Sequence, residues 1–351
     1  MAIYIKGMGN ISPQKTWDDN AMLATPIHYN GDRLTCHEPD YTNYVDPKQL
    51  RRMSRIIKMG VAAGSMALKH AGIAVPNGII TGTAYGCLED TGIFLNKLIE
   101  NKEHALNPTP FIQSTHNTIG SQIALLLQCQ GYNQTYTQGA FSFENSLLDA
   151  LLELKESPGQ SLLVGGVDEI TSTSQAIQKR FGIFRSSGNS LDLLKSSAKG
   201  TMNGEGAAYF VLSGEKSPDQ NVCIEAVKTL YKPSADSLEK EIQLFLASAS
   251  IDSAAVDLVL WGKSGDTRFD SMPEEVIDGL FPESAIGAYK HLCGEYPTAS
   301  AFALWLAVSI IQWNNIPDVV VVRNSGKPAR RILIYNPYFG THHSLILVQA
   351  C

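Results

Sequence analysis

The sequence has few charged residues and no tract in which charges of one sign are concentrated. Charged side chains make up 18% of the 351 residues, against about 25% in typical soluble domains. A low charged fraction leaves fewer residues to coat a surface, and it indicates a large interior or additional area buried against another subunit. The net charge is −6, and the sequence contains no run of basic residues. Both observations argue against binding of nucleic acid.

Clustered cysteines and long apolar runs are also absent. The six cysteines are scattered along the chain: Cys36, Cys87, Cys129, Cys223, Cys293 and Cys351. Without a CxxC pair, this spacing predicts free thiols in a reducing cytoplasm and no metal site. The N-terminus lacks the apolar run of a signal peptide. The longest apolar run, residues 301–311, is far shorter than the roughly 20 residues that a membrane span needs. We therefore expect a cytoplasmic protein with no membrane span.

The remaining pattern alternates between helical and extended segments. Helices are predicted over residues 53–71, 117–129, 144–155 and 298–313. Strands are predicted over residues 78–82, 135–137, 161–164, 256–260, 318–322 and 344–348. This alternation predicts a layered α/β architecture with helices covering a sheet. The order of elements in residues 1–215 is repeated roughly in residues 216–351, so we predict two related halves joined by the polar, turn-rich segment 214–220.

Several short motifs follow one another in a particular order. Residues 165–166 (GG) follow a predicted strand, residues 203–207 read NGEGA, and residues 339–340 (FG) lie near the C-terminus. Each is weak by itself, because two glycines after a strand usually form a tight turn. Together with residues 110–117 (PFIQSTHN) and the box at residues 290–294 before a helix of small residues, they resemble the β-ketoacyl synthase family. The resemblance covers nearly the whole chain.

This resemblance implies a fold and a chemistry. The fold is a thiolase-like duplicated core of five layers, α-β-α-β-α, which is generally dimeric. The chemistry is decarboxylative Claisen condensation, in which a cysteine takes an acyl chain from an acyl carrier protein as a thioester. Two histidines then stabilise the enolate and the oxyanion. No separate cofactor is implied, because phosphopantetheine arrives on the acyl carrier protein as part of the carried substrate.

The three catalytic positions of the family carry no catalytic group in this sequence. Counts from the landmarks on either side both place Ala140 at the nucleophile position. The first histidine position falls on Gly262, and the second falls on Glu295. Gln138 and Lys263 are the alternatives that a slip in register would select, and neither is a cysteine or a histidine. A carboxylate at the second position would repel an enolate oxygen, and it could donate a hydrogen bond only when protonated.

Four phenylalanines occupy positions that surround the acyl pocket in the family: Phe111, Phe141, Phe143 and Phe339. Together with Lys290 they are the candidate substrate-binding residues. Ordinary core packing is the alternative interpretation of the four aromatic side chains.

Other reactive side chains are weaker candidates. Cys87 and Cys293 could replace the missing nucleophile, but a free cysteine is usually a small buried hydrophobic residue. His116 could act as a base, although structural hydrogen bonding is the simpler interpretation. The adjacent His342 and His343 would face opposite sides of a strand, so a metal site there is not expected.

Loss of all three catalytic groups predicts a non-catalytic subunit. This pattern is similar to the chain length factors that pair with an active ketosynthase in polyketide and aryl-polyene-like pathways, although those subunits commonly have glutamine where Ala140 stands. The predicted partners are a cysteine-bearing ketosynthase paralogue in fatty acid or polyketide elongation, an acyl carrier protein, and a second copy of the chain when it is alone. Strand 134–138 is expected to pair across that dimer.

Two alternatives stay open at this point. The first is an enzyme, either a divergent β-ketoacyl synthase or a malonyl-carrier decarboxylase that uses other residues. The second is a homodimeric protein that binds an acyl carrier protein or an acyl chain without chemistry.

Overall fold

The computed structural model describes residues 2–17, 23–195, 198–217 and 221–351. Within these residues, eleven strands form one mixed sheet. The strands are β1 (Ile3–Ile11), β2 (Gly78–Gly82), β3 (Tyr132–Tyr136), β4 (Ser161–Asp168), β5 (Gly206–Ser213), β6 (Val222–Tyr231), β7 (Leu258–Trp261), β8 (Ala285–Ala288), β9 (Val321–Arg323), β10 (Arg331–Tyr338) and β11 (His342–Ala350). The helices are α1 (Pro47–Leu50), α2 (Arg55–Ala71), α3 (Leu88–Glu100), α4 (Pro108–Gln113), α5 (Thr118–Leu127), α6 (Ser142–Glu156), α7 (Ser172–Arg180), α8 (Ala235–Ser248), α9 (Thr267–Leu280), α10 (Lys290–Cys293) and α11 (Ala299–Trp313).

The sheet consists of two half-sheets that share one strand order. The N-terminal half-sheet has the order β3-β2-β4-β5-β1, and the C-terminal half-sheet has the corresponding order β8-β7-β10-β11-β6, with β9 added at its outer edge. In the N-terminal half β3, β2 and β4 run parallel, as do β8, β7 and β10 in the C-terminal half, and the next two pairings in each half are antiparallel. The added strand β9 pairs antiparallel with β8. The halves meet where Ile3 and Tyr4 of β1 pair with β6. The duplicated order predicted from the sequence is confirmed.

Five layers of secondary structure stack through the molecule. Helices α6 and α11 lie in the middle, and their side chains share one buried cluster with residues from both half-sheets. On the outer face of the N-terminal half-sheet, α2 and α5 pack in a second cluster. On the outer face of the C-terminal half-sheet, α8 and α9 contribute to a third. Every residue of α11 from Ala299 to Ile311 is buried, which explains why this segment is the longest apolar run in the sequence.

Gly165 and Gly166 lie inside β4 and not in a turn after it, so the turn interpretation was wrong. A Cβ atom on Gly165 would lie 2.3 Å from the ring of Tyr209, and one on Gly166 would lie 3.1 Å from Phe143 and Ala301. Side chains therefore press on β4 from both faces, and glycine is the residue that leaves room for them.

Most predicted elements are present with ends shifted by a few residues. Strand β2 matches residues 78–82 at both ends, whereas β3 starts earlier than expected and ends at Tyr136. The strand predicted at residues 318–322 is only the short β9. Part of the predicted joint, residues 218–220, lies outside the described residues. The division into halves at residue 215 stays a prediction.

Two of the six cysteines form a disulfide, which corrects the expectation that all are free thiols. Cys223 of β6 is bonded to Cys351, 128 residues later in the sequence. The antiparallel pairing of β6 with β11 brings them together, because Ala350 pairs with Val222 and the Cys351 backbone N–H donates to the Asn221 carbonyl. The four cysteines other than this pair are free. Among the described helices, none has the length and apolar character needed to span a bilayer.

Candidate functional site

The predicted nucleophile position lies in a tight turn between β3 and α6. A single 3-10 turn, Gly139–Phe141, connects the two elements, and Gly139 has a left-handed backbone with φ of 58°. The Ser142 hydroxyl holds this turn, since it donates to the Gly139 carbonyl at 2.7 Å and accepts from the Gln138 backbone N–H at 2.9 Å. Ala140 is 2% exposed at its centre. The methyl group of Ala140 has no atom that can attack a thioester.

The first histidine position, Gly262, follows the end of β7 and has no room for a side chain. Its backbone N–H donates to the Tyr335 carbonyl at 2.8 Å, which fixes its place beside β10. A Cβ atom at Gly262 would lie 2.8 Å from the Tyr289 hydroxyl oxygen, 2.9 Å from Asn336 Oδ1 and 2.9 Å from Lys290 Cε. Tyr289 and Asn336 are themselves hydrogen-bonded at 2.8 Å. Neighbouring side chains therefore fill the space that an imidazole would need.

The second histidine position, Glu295, is directed inward by an unusual backbone. Gly294 has φ of 78° and packs against Gly204, where a Cβ atom on Gly294 would lie 2.4 Å from the Gly204 Cα. The Glu295 N–H donates to the Met202 carbonyl at 2.9 Å, and the Glu295 carbonyl accepts from the Gly204 N–H at 3.1 Å. The motif at residues 203–207 therefore packs against the box at residues 290–294. Only glycine lets the two backbones approach so closely.

Lys290 and Glu295 form a buried ion pair. Lys290 Nζ lies 2.7 Å from Glu295 Oε2 and donates to the Pro337 carbonyl at 2.6 Å, and both charged side chains are 0% exposed. Burial raises the pKa of Glu295 to about 7, although the nearby ammonium opposes this rise. Glu295 Oε1 has no hydrogen-bond partner among the described residues. Near neutral pH, the carboxyl is therefore divided between its protonated and ionised forms.

One chain of contacts connects the three positions. Asn336 of β10 touches the position of Gly262 and pairs across the ladder with Ser344 of β11. The Ser344 hydroxyl donates to Glu144 Oε1 at 2.7 Å, and Glu144 follows Ala140 by one helical turn. Because Lys290 contacts both the Gly262 position and Glu295, the three positions surround one buried polar region between the half-sheets.

Glu144 is a site residue that the sequence reasoning missed. Its side chain is fully buried, burial raises its pKa, and Oε2 has no hydrogen-bond partner in the described part of the chain. The one signal in the sequence was a carboxylate beside Phe143 on the buried face of an apolar helix. Charged residues are seldom fully buried without a partner, so this placement could have been flagged.

The carboxylate of the NGEGA motif has a structural role. Glu205 is 0% exposed and accepts two hydrogen bonds from the Arg55 guanidinium, at 2.6 and 2.7 Å. It also accepts from the backbone N–H groups of Cys36 and Ile170. Paired bonds of this kind fix orientation as well as contribute energy, and here they tie the start of α2 to β5.

The candidate pocket residues lie in different surroundings. Phe143 is buried beside Phe210, with ring centroids 6.0 Å apart, whereas Phe141 is half-buried, with its ring 4.6 Å from that of His342. Both are adjacent to the Ala140 turn. Lys290, described above, is enclosed by its ion pair.

The remaining two phenylalanines are elsewhere. Phe339 forms the β10–β11 turn with φ of 47°, and its ring lies 5.7 Å from both Phe184 and Phe269. Phe111 is 55% exposed on α4 and contacts Phe94 at 5.1 Å. The structure thus brings Phe141 and Phe143 to the Ala140 turn and does not bring Phe111 there.

The other reactive side chains are poorly placed for catalysis. Cys87 and Cys293 are both fully buried, and burial raises the pKa of each thiol well above its ordinary value. A thiol that stays protonated is a weak nucleophile. His116 is exposed. His343 is bonded to the Tyr335 hydroxyl at 2.6 Å. Among the described residues, no cluster of three or more histidine, cysteine or acidic side chains is placed to hold a metal ion.

Comparison with known proteins identifies the family. Residues 8–217 match the sequence model of "Beta-ketoacyl synthase, N-terminal domain". The chain belongs to the β-ketoacyl synthase family. No curated protein sequence matches the chain significantly.

Solved structures share the whole fold. "The ishigamide ketosynthase/chain length factor" superposes with a TM-score of 0.83 at 18% identity, covering 100% of this chain and 99% of the other. A β-ketoacyl synthase from Burkholderia phymatum STM815 gives 0.78 at 17% identity, covering 100% and 99%. A ketosynthase (ApeO) in complex with its chain length factor (ApeC) from Xenorhabdus doucetiae gives 0.77 at 15% identity, covering 100% and 98%. The thiolase-like, five-layer fold predicted from the sequence is confirmed.

Proposed function

We propose that this chain is a non-catalytic, chain-length-factor-like subunit of a ketosynthase assembly that elongates polyketide, aryl-polyene or fatty acyl chains. The observation that carries this proposal is the filled space at Gly262. Tyr289, Asn336 and Lys290 lie where a side chain at this position would have to be. With an alanine at the nucleophile position as well, covalent capture and enolate stabilisation are both lacking.

The partner is proposed to be a cysteine-bearing ketosynthase that pairs with β3. This strand is at the end of the sheet order and is bonded only to β2. The Tyr136 carbonyl accepts from the Thr83 N–H at 3.0 Å, so the groups of Tyr136 face β2. Because backbone groups alternate along a strand, those of Thr135 face away from the sheet. An edge of this kind is suited to pairing with another chain.

Exposed apolar side chains extend this surface. Helix α5 packs beside β3 and exposes Leu125 at 70%, and α4 exposes Phe111 at 55% and Ile112 at 64%. Apolar side chains that are exposed together mark interaction surfaces. Phe111 would then contribute to an acyl tunnel in the partner and not to a pocket in its own chain.

An acyl carrier protein is the second proposed partner, delivering the acyl chain on its phosphopantetheine arm. A cleft of about 1010 Å³ lies beside the start of α2 and shares Ile112 and Leu125 with the surface proposed for the ketosynthase, so the carrier protein would dock at the edge of that interface. Its basic lining residues include Arg51, Arg52 and Lys58, which have no ion-pair partner in the described part of the chain, and its acidic ones are Glu89 and Asp90. An excess of positive charge favours association with an acidic partner.

Co-expression with the cognate ketosynthase tests the proposal. We expect a one-to-one heterodimer that survives size-exclusion chromatography and whose condensation activity disappears when only the partner's cysteine is replaced. A pair of variants then separates a tunnel role from general surface effects: Phe111→Ala, where the side chain is 55% exposed, and Phe181→Ala at the C-terminal cap of α7, where it is 71% exposed. Only the first should change product chain length. Separate elution of the two chains at micromolar concentration would contradict the proposal.

The buried Lys290–Glu295 pair favours one alternative, a decarboxylase. A carboxyl with a pKa of about 7 could exchange a proton near neutral pH. The isolated chain would then release carbon dioxide from malonyl-acyl carrier protein, and Glu295→Gln would abolish the release. The non-catalytic proposal predicts no release above the rate without protein. The third alternative, a stand-alone binding protein, predicts tight binding of an acyl carrier protein by the homodimer without a ketosynthase.

A further inference from the structure

Three of the four tryptophans line a single cleft far from the Ala140 turn. The cleft has a volume of about 510 Å³ and is lined by Trp17, Trp305 and Trp313, together with residues 8–10 of β1 and the last residues of α2. Trp305 is 8% exposed and forms its base, whereas Trp313 is 54% exposed and stands at its rim. This volume is within the range of about 300–1,000 Å³ that small-molecule sites usually have.

The cleft exists because β1 is left uncovered along part of its edge. Strand β6 pairs with β1 only at Ile3 and Tyr4. Farther along β1, the side chain of His70 covers the edge instead, with Nδ1 3.3 Å from the Met8 backbone nitrogen. Trp305 in the middle of α11 and Trp313 at its end line the cleft beside this uncovered stretch. The cleft therefore combines the faces of aromatic side chains, a free stretch of backbone edge and polar side chains.

Among the described lining residues, Lys69 carries the one full charge. Lys69 and His70 are exposed at the end of α2, and none of the described lining residues is acidic. The Lys69 ammonium has no ion-pair or hydrogen-bond partner among the described residues. Flat indole faces favour planar ligands, and the Lys69 ammonium disfavours a cation. We propose that this cleft binds a planar organic anion, an aromatic or conjugated carboxylate.

The cleft is separate from the surfaces proposed above. In the N-terminal half-sheet, β1 and β3 are at opposite ends of the strand order. A subunit that pairs with β3 would therefore leave the cleft open, and neither Ala140 nor Gly262 lines it. Binding here does not depend on whether the chain is a catalytically silent subunit.

Isothermal titration calorimetry with trans-cinnamate and its neutral isostere cinnamamide tests this site on the full chain. We expect cinnamate to bind with a Kd below about 1 mM and roughly two- to fivefold more tightly than cinnamamide, as an exposed charge pair allows. Lys69→Gln should remove this preference. Lys58→Gln, on the same helix but outside the cleft, should keep it.

A second pair of variants locates the binding. Trp313→Ala removes an exposed side chain, so the fold should persist while both ligands bind about tenfold more weakly. Phe181→Ala, which removes an exposed aromatic side chain at the C-terminal cap of α7, should change neither affinity. Three outcomes would overturn the proposal: no heat of binding up to 5 mM (roughly the limit for a fragment of this size), equal affinities for cinnamate and cinnamamide, or tighter binding of cinnamyltrimethylammonium.

Discussion

Replacing Lys290 by methionine should destabilise the protein far more than a surface substitution would. The Lys290 ammonium is fully buried, lies 2.7 Å from Glu295 Oε2 and donates a hydrogen bond to the Pro337 carbonyl. Methionine fills a similar volume but leaves the Glu295 carboxylate without its cation. Removing one partner of a buried pair typically costs about 3–5 kcal/mol in the free energy of unfolding, so we expect a loss of that size at pH 8.

The double variant Lys290→Met, Glu295→Gln isolates the pair. It removes both charges, so most of the lost stability should return, with a coupling energy of about 2–3 kcal/mol. Lys263→Met is the matched control, because Lys263 also forms an ion pair, with Glu274, but that glutamate is 45% exposed. The Lys263→Met variant should lose less than about 1 kcal/mol in the free energy of unfolding.

The pH dependence supplies an independent check. The pKa of Glu295 is about 7 in the folded chain, against an ordinary value of 4.5. A carboxyl with a raised folded pKa contributes stability that is fully present below pH 4.5 and is lost as pH rises toward 7. The difference between these two pKa values corresponds to about 3 kcal/mol in the free energy of unfolding. Glu295→Gln should therefore gain stability relative to the wild type as pH rises from 4.5 to 7.

Urea denaturation, followed by circular dichroism and tryptophan fluorescence at pH 5 and pH 8, measures these values. A Lys290→Met loss below about 1 kcal/mol at both pH values, or a double variant no more stable than the single one, would refute the buried-pair reasoning.

Three further predictions address the site, the interface and the disulfide. Ala140→Cys alone should not restore condensation, because no imidazole pair is present to stabilise the enolate; turnover near that of an intact ketosynthase would show that other groups do so. Thr135→Pro should shift the proposed dimer toward monomer in analytical ultracentrifugation, because it removes a donor from the free edge of β3, whereas Thr135→Val keeps the N–H and should dimerise normally. Alkylation of the denatured, oxidised protein should label four cysteines before reduction and six after it, as the Cys223–Cys351 bond requires; six labels at once would contradict the bond.

Local pattern was enough to predict elements whose sequence is uniform. Strand β2 and helix α11 are apolar throughout and end at clear breaks, so their bounds were predicted well. Strand β1 was missed because Gly7 and Gly9 interrupt its pattern. A Cβ atom at Gly7 would lie 2.3 Å from the Ala67 carbonyl oxygen, so these glycines are set by the close approach of α2. That approach is a tertiary contact, and no local pattern reports it.

The assignment of the three catalytic positions stays a prediction, whereas the contacts around them come from the structure. The motifs located Ala140, Gly262 and Glu295, and the structure brings the three around one buried region. The pairing of Lys290 with Glu295 could not be read from the sequence, because it depends on the left-handed turn at Gly294. The Cys223–Cys351 bond likewise depends on the β6–β11 ladder, which joins segments far apart in the chain.

The central claim is that this chain carries no acyl intermediate, and intact-protein mass spectrometry tests it most directly. The chain and its ketosynthase partner would be incubated together with acyl-loaded carrier protein, and each mass would be measured after rapid denaturation. We expect a stoichiometric acyl adduct on the partner and an unchanged mass for this chain. An acyl adduct of comparable stoichiometry on this chain, mapped to Cys87, Cys129 or Cys293, would contradict it.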